Sequence, residues 1–144
     1  MNEWCVDASV AVKWAVKGEP FRGKALRLLA ECGTKGIRLI APPFFSSEAD
    51  SVIRRRVFEG KLPPSEENKA YAALDRAPVQ VMDMPQLRKR ARDIARQFHQ
   101  RNVYDSVYAA LAELRGCDLW TADKQFHEAV KRQLKFVKFL PDYP

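Results

Sequence analysis

Histidine and cysteine are scarce in this chain: among 144 residues there are only His99 and His127, and Cys5, Cys32 and Cys117. An odd number of widely spaced cysteines with apolar neighbours supports neither a disulfide framework nor a Cys-x-x-Cys zinc site, so buried free thiols are expected. Both histidines fall in charged helical stretches and are expected to be solvated or capping groups. No His, Ser or Cys constellation for nucleophilic catalysis is visible. Long apolar runs are missing as well. Nothing approaches the roughly 20 residues that a membrane span needs, and no basic leader precedes an apolar segment, so a soluble, cytoplasmic protein without a membrane partner is expected. Glycine is also sparse, at six. None of it builds a G-x-x-x-x-G-K or G-x-G-x-x-G phosphate loop, and no Asp-x-Asp follows the first strand.

Positive charge is plentiful. The chain carries 25 Lys and Arg against 18 Asp and Glu, a net charge of +7, which favours an anionic partner such as nucleic acid. Its length suits one domain, residues 1–144, able to bury roughly two thirds of its unfolded surface.

Short apolar runs alternate with helix-period segments, the pattern of βα units on a mostly parallel sheet. Strands are expected at Glu3 to Val6, Ile37 to Ala41, Val79 to Met82, Asp118 to Thr121 and Phe136 to Phe139. The clearest helix runs from Val103 to Leu114, with Val103, Val107, Ala110, Leu111 and Leu114 on one face and Gly116 as a stop. A second runs from Pro43 to Phe58, entered through Pro42 and ended by Gly60. Others cover Phe21 to Cys32, Ser65 to Arg76, Gln86 to Gln100 and Lys124 to Gln133. Trp4 and Trp120 fall in strands and Trp14 in a helix-like run, so all three are expected in the core rather than stacked on bases.

Four acids stand where these elements begin or end. Asp7 follows the first strand, Glu48 lies in the first turns of the helix after the second, Asp105 opens the helix before the fourth, and Asp123 follows that strand. In a parallel sheet every strand ends at the same edge, and ligands bind in the crevice beyond it. Taken singly, each acid also suits a helix N-cap or first turn. The two roles are compatible, because a helix start beside a strand end also faces the crevice. Four carboxylates drawn together repel one another, so their convergence would call for a divalent cation.

Four stretches carry a resemblance to a known family: Val6-Asp7-Ala8-Ser9-Val10; Ser47-Glu48-Ala49-Asp50 running on to Arg55; Tyr104-Asp105-Ser106-Val107-Tyr108 running on to Glu113; and Leu119-Trp120-Thr121-Ala122-Asp123-Lys124. In this order, across nearly the whole chain, they resemble PIN domains, specifically VapC-type ribonuclease toxins. The resemblance implies a three-layer α/β/α sandwich around a parallel five-stranded sheet. It also implies that Asp7, Glu48, Asp105 and Asp123 bind Mg²⁺ or Mn²⁺, with Ser9 and Thr121 supporting them. Hard oxygen donors suit those ions, and a metal-bound water is then the nucleophile for phosphodiester hydrolysis.

RNA binding needs cations near the acids. Arg54, Arg55 and Arg56 follow the Glu48 helix, and Arg88, Arg92 and Arg96 recur every four residues opposite Leu87, Ala91, Ile94 and Phe98. A solvated helix face is the plain alternative for that stripe. The family also implies a homodimer and a small VapB-type antitoxin whose tail reaches the acids. Val57, Phe58, Leu62, Tyr71 and Leu74 would either dock it or complete the core. Two other classes remain: a non-catalytic interaction module on the same scaffold, and a metal-dependent phosphotransfer enzyme acting on something other than RNA.

Overall fold

The computed structural model describes residues 2–144. The elements run β1 (Glu3–Val6), α1 (Ala8–Ala15), α2 (Arg22–Lys35), β2 (Arg38–Ala41), α3 (Phe45–Phe58), α4 (Glu67–Arg76), β3 (Val79–Val81), α5 (Leu87–Gln97), α6 (Tyr104–Arg115), β4 (Asp118–Thr121), α7 (Lys124–Val130) and β5 (Val137–Phe139). Single turns of tighter helix at Pro64–Glu66 and Leu140–Asp142 complete them. All five strands pair in parallel in the order β3-β2-β1-β4-β5. Such strands are covered on both faces and need no inside-outside alternation. Accordingly Cys5, Val6, Leu39, Ile40, Ala41 and Leu119 are almost completely buried.

The strand order decides where a site can form. The chain steps outward from β1 through β2 to β3, then returns to the other side of β1 for β4 and β5. Right-handed crossovers place the helices of the two halves on opposite faces, giving three layers. On one face α1 packs against α2, α3 and α4; on the other α5 packs against α6, and α6 against β1 and β4. β1 and β4 are adjacent and parallel, and the chain moves on from them toward opposite edges of the sheet. Their carboxyl ends therefore flank the switch point where open α/β sheets keep a crevice.

The sequence expectations need local correction. Helix α1 was expected only as a helix-like run at Trp14, without bounds, because Ala8, Val10, Ala11, Val12, Lys13 and Trp14 are all buried. A helix enclosed on every side has no amphipathic stripe to betray it. Val103 was expected on the sheet-facing stripe of α6, yet it sits at the cap position ahead of the first helical turn and is 39% exposed. Ala110 and Leu111 of the expected stripe are fully buried, as are Ala109 and Ala112 beside them, and α6 packs on β1 and β4. Gly116 ends α6 at φ 66°, a left-handed conformation that glycine adopts without strain.

Trp14 is buried and donates its indole N–H to the Ala25 carbonyl at 2.9 Å. Trp4 and Trp120 meet edge to face at 5.7 Å. Trp14 is in the core as expected, whereas Trp4 and Trp120 are partly buried and pack against it. The three cysteines are free thiols, Cys5 and Cys32 buried and Cys117 partly so. Among the described residues no helix is long and apolar enough to cross a membrane.

Candidate active site

Asp7 leaves β1 in extended backbone and caps α1, accepting from the Ser9 N–H at 3.0 Å and the Val10 N–H at 3.3 Å. The Ser9 hydroxyl also donates to the same Asp7 oxygen and accepts from the Ala122 N–H at 2.9 Å. A single serine thus ties the start of α1 to the end of β4. Asp7 is only 3% exposed. Burial pushes its carboxyl up to about 6; the Ser9 and Thr121 hydroxyls pull the other way, and the Glu48 charge adds to the rise.

Asp123 caps α7, taking the Phe126 N–H at 2.9 Å, while its own N–H donates to the buried Thr121 hydroxyl at 3.0 Å. Glu48, in the first turn of α3, accepts from Tyr108 Oη at 2.9 Å. Burial raises the Glu48 carboxyl above its ordinary range, with Tyr108 and Arg55 opposing. Tyr108 is itself fully buried and packs edge-on against Phe44 at 5.3 Å. Burial and the charges of Glu48 and Asp7 keep its phenol protonated, hence a donor.

Asp105 occupies the first turn of α6. Burial pushes its carboxyl up to about 8, and the charges of Asp7, Asp123 and Glu48 push in the same direction. The four acids therefore sense one another, and all four line one cavity of about 520 Å³. Even so, among the described residues no three His, Cys, Asp or Glu groups stand close enough together to enclose a metal ion as placed. Four carboxylates lining one cavity are the hard oxygen donor set that Mg²⁺ or Mn²⁺ prefers. The residues fit such an ion.

The same cavity is also lined by Lys13, Arg55, Arg56 and Glu19. Glu19 lies 3.0 Å from Arg56 Nε and 3.8 Å from Lys13 Nζ. Of the expected RNA-binding arginines, then, Arg55 and Arg56 face the acids. Arg54 does not: its guanidinium is paired with Glu67 of α4 at 3.0 Å. Arg88 and Arg92 are exposed and line neighbouring depressions with Asp83. Arg96 points to solvent beside Asp93 at 3.5 Å. In the helical hairpin, Leu62 and Leu74 are buried and complete the core, whereas Phe58 is 82% exposed.

Sequence reasoning missed Lys13, Glu19 and Tyr108. Tyr108 had a readable signal, since it stands three residues after Asp105 on one helix face. Lys13 had none, because α1 carries no stripe from which to place it.

A family model described as PIN domain matches residues 4–132. Among solved structures, the chain is similar to Mycobacterium tuberculosis VapC20, a sarcin-ricin loop cleaving toxin, with a TM-score of 0.66 over 88% of this chain and 94% of that one. At 20% identity that likeness concerns the fold. None of the curated proteins compared matches this chain. The chain belongs to the PIN-domain family.

Proposed function

We propose that this PIN domain is a divalent-metal-dependent endoribonuclease of VapC type, with Asp7, Glu48, Asp105 and Asp123 holding Mg²⁺ or Mn²⁺. One observation carries the reading: four buried or half-buried carboxylates from four separate elements share one cavity, and the charges of Asp7, Asp123 and Glu48 add to the rise that burial imposes on the Asp105 carboxyl. Such crowding costs stability and serves no packing purpose, so it fits a site made to hold a cation.

A divalent ion bound there would supply an activated water and offset charge on the phosphoryl oxygens. The chain's own residues prepare the site. Ser9 and the α1 N-terminus fix one oxygen of Asp7, leaving the carboxylate turned to the cavity. Tyr108 orients Glu48, and the α7 N-terminus orients Asp123. Such outer partners set both geometry and affinity at metal sites. Arg55, Arg56 and the exposed Arg88 and Arg92 supply positive charge for an RNA backbone.

Structured RNA is the proposed substrate class, supported by the likeness in fold to a toxin that cleaves an RNA loop. A homodimer and a small VapB-type antitoxin belong to the same reading. The exposed apolar residues Phe58, Val81, Val103 and Tyr104 are available surface for such partners. The test is cleavage of a panel of structured RNAs by pure protein with Mg²⁺, Mn²⁺ or EDTA, beside Asp105→Asn. Cleavage that needs metal and vanishes in the variant supports the reading. Cleavage that survives EDTA, or that persists in Asp105→Asn, overturns it.

A further inference from the structure

We propose that Lys13, held with Arg56 by Glu19, binds the RNA phosphate immediately flanking the scissile bond; the assignment rests on the nuclease reading. Lys13 is only 7% exposed, which is rare for a lysine. A buried ammonium is costly unless well paired. Here its ion pair with Glu19 spans 3.8 Å, beyond the roughly 3.2 Å of a real hydrogen bond. The carboxylate is committed more closely to Arg56, at 3.0 Å. Glu19 thus faces two cations, Arg56 has a second, looser partner in Glu59 at 4.0 Å, and the ammonium's donors stay unspent.

These donors are open to the cavity. Lys13 lines the same space as the four acids, and its Nζ is not among the sealed, unpartnered atoms of the protein, as Arg22 Nε and Ser106 Oγ are. It stands six residues after Asp7 on α1, a rise of about 9 Å along the axis. Side chains lean toward a helix's N-terminus, so the ammonium reaches back toward the acids without joining them; burial lowers its pKa below the ordinary lysine range, and the charges of Glu19 and Asp7 oppose that fall. A compact cation beside a metal site, with free donors and a carboxylate to steady it, suits a non-bridging phosphate oxygen.

The test uses an RNA that the wild type cuts. Its binding is followed by fluorescence anisotropy across a salt series, in the uncleaving Asp105→Asn background, with Lys13→Met, Lys13→Arg or Glu19→Gln added. Lys13→Met is expected to weaken binding roughly five- to tenfold and to make the salt dependence shallower by about 0.7, the value for one single-strand phosphate contact. Lys13→Arg restores most of both. Glu19→Gln, which removes a negative charge and keeps both cations, is expected to tighten binding several-fold. It decides the matter if Lys13→Met fails to fold. Unchanged affinity and salt slope in folded Lys13→Met, or unchanged or weaker binding in Glu19→Gln, overturns the assignment alone. A wild type that neither binds nor cuts RNA overturns the nuclease reading and this assignment with it.

Discussion

Tyr108 Oη donates to Glu48 Oε1 at 2.9 Å, linking helices that lie 60 positions apart in the chain. Tyr108 is fully buried and Glu48 only partly. The bond therefore holds the more exposed partner from the buried one. Because Tyr108 also follows Asp105 by three residues in α6, one helix turn presents an acid to the cavity and secures a second acid on α3.

Tyr108→Phe is expected to lower Mn²⁺ affinity roughly tenfold or more, the usual loss when a partner of a ligand is removed, with cleavage falling in step. The fold persists, since only one oxygen is deleted. Calorimetric titration with Mn²⁺ checks this, and unchanged affinity would show that the tyrosine only packs.

Asp105→Asn is expected to abolish metal-dependent cleavage and to raise the melting temperature of the metal-free protein. It removes the charge that Asp7, Asp123 and Glu48 all oppose. Thermal unfolding in EDTA measures it. A lower melting temperature combined with full activity would contradict the assignment of Asp105 to the metal site.

Stability of the metal-free protein should fall as pH rises. Asp7 and Asp105 are pushed up to about 6 and about 8 in the fold, above the roughly 3.9 of an unfolded aspartate. The folded state therefore holds more protons. The contribution is fully present below pH of about 4 and is lost through the window up to about 8. For the fully buried Asp7 the two-unit rise corresponds to about 3 kcal/mol. Denaturant unfolding at pH 5.5 and pH 8.5 tests this, and saturating Mg²⁺ is expected to flatten the difference by neutralising the acids. Greater stability at pH 8.5 without metal would refute the electrostatic account.

Ser9→Ala removes a donor to Asp7 and leaves the partly buried Ala122 N–H without its acceptor. A loss of about 1–3 kcal/mol in stability is expected from the orphaned group, together with weaker Mn²⁺ binding. Ser9→Thr, which keeps the hydroxyl, should recover the metal affinity; if it does not, the serine acts through size rather than through its hydrogen bonds.

The sheet was legible because parallel strands buried on both faces read as short apolar runs between helical segments. Boundaries moved by one residue at β2, β3 and β5, where pairing with a neighbour rather than residue preference sets the end. Helix α1 had no readable bounds because uniform burial erases periodicity. Arg54 shows the same limit at the surface: the sequence placed it beside Arg55 and Arg56 as a cation for RNA, but helix phase turned it to Glu67.

The sequence by itself determined the order of the strands and helices, the acids at their ends, and the excess of positive charge, because these depend on local pattern and composition. Only the tertiary structure decided that four acids from the ends of β1 and β4 and the first turns of α3 and α6 share one cavity, that Lys13 lines it too, and that Tyr108 steadies Glu48. The reason is topological. Where β1 and β4 become neighbours, residues more than a hundred positions apart converge, and nothing local in the chain encodes that adjacency.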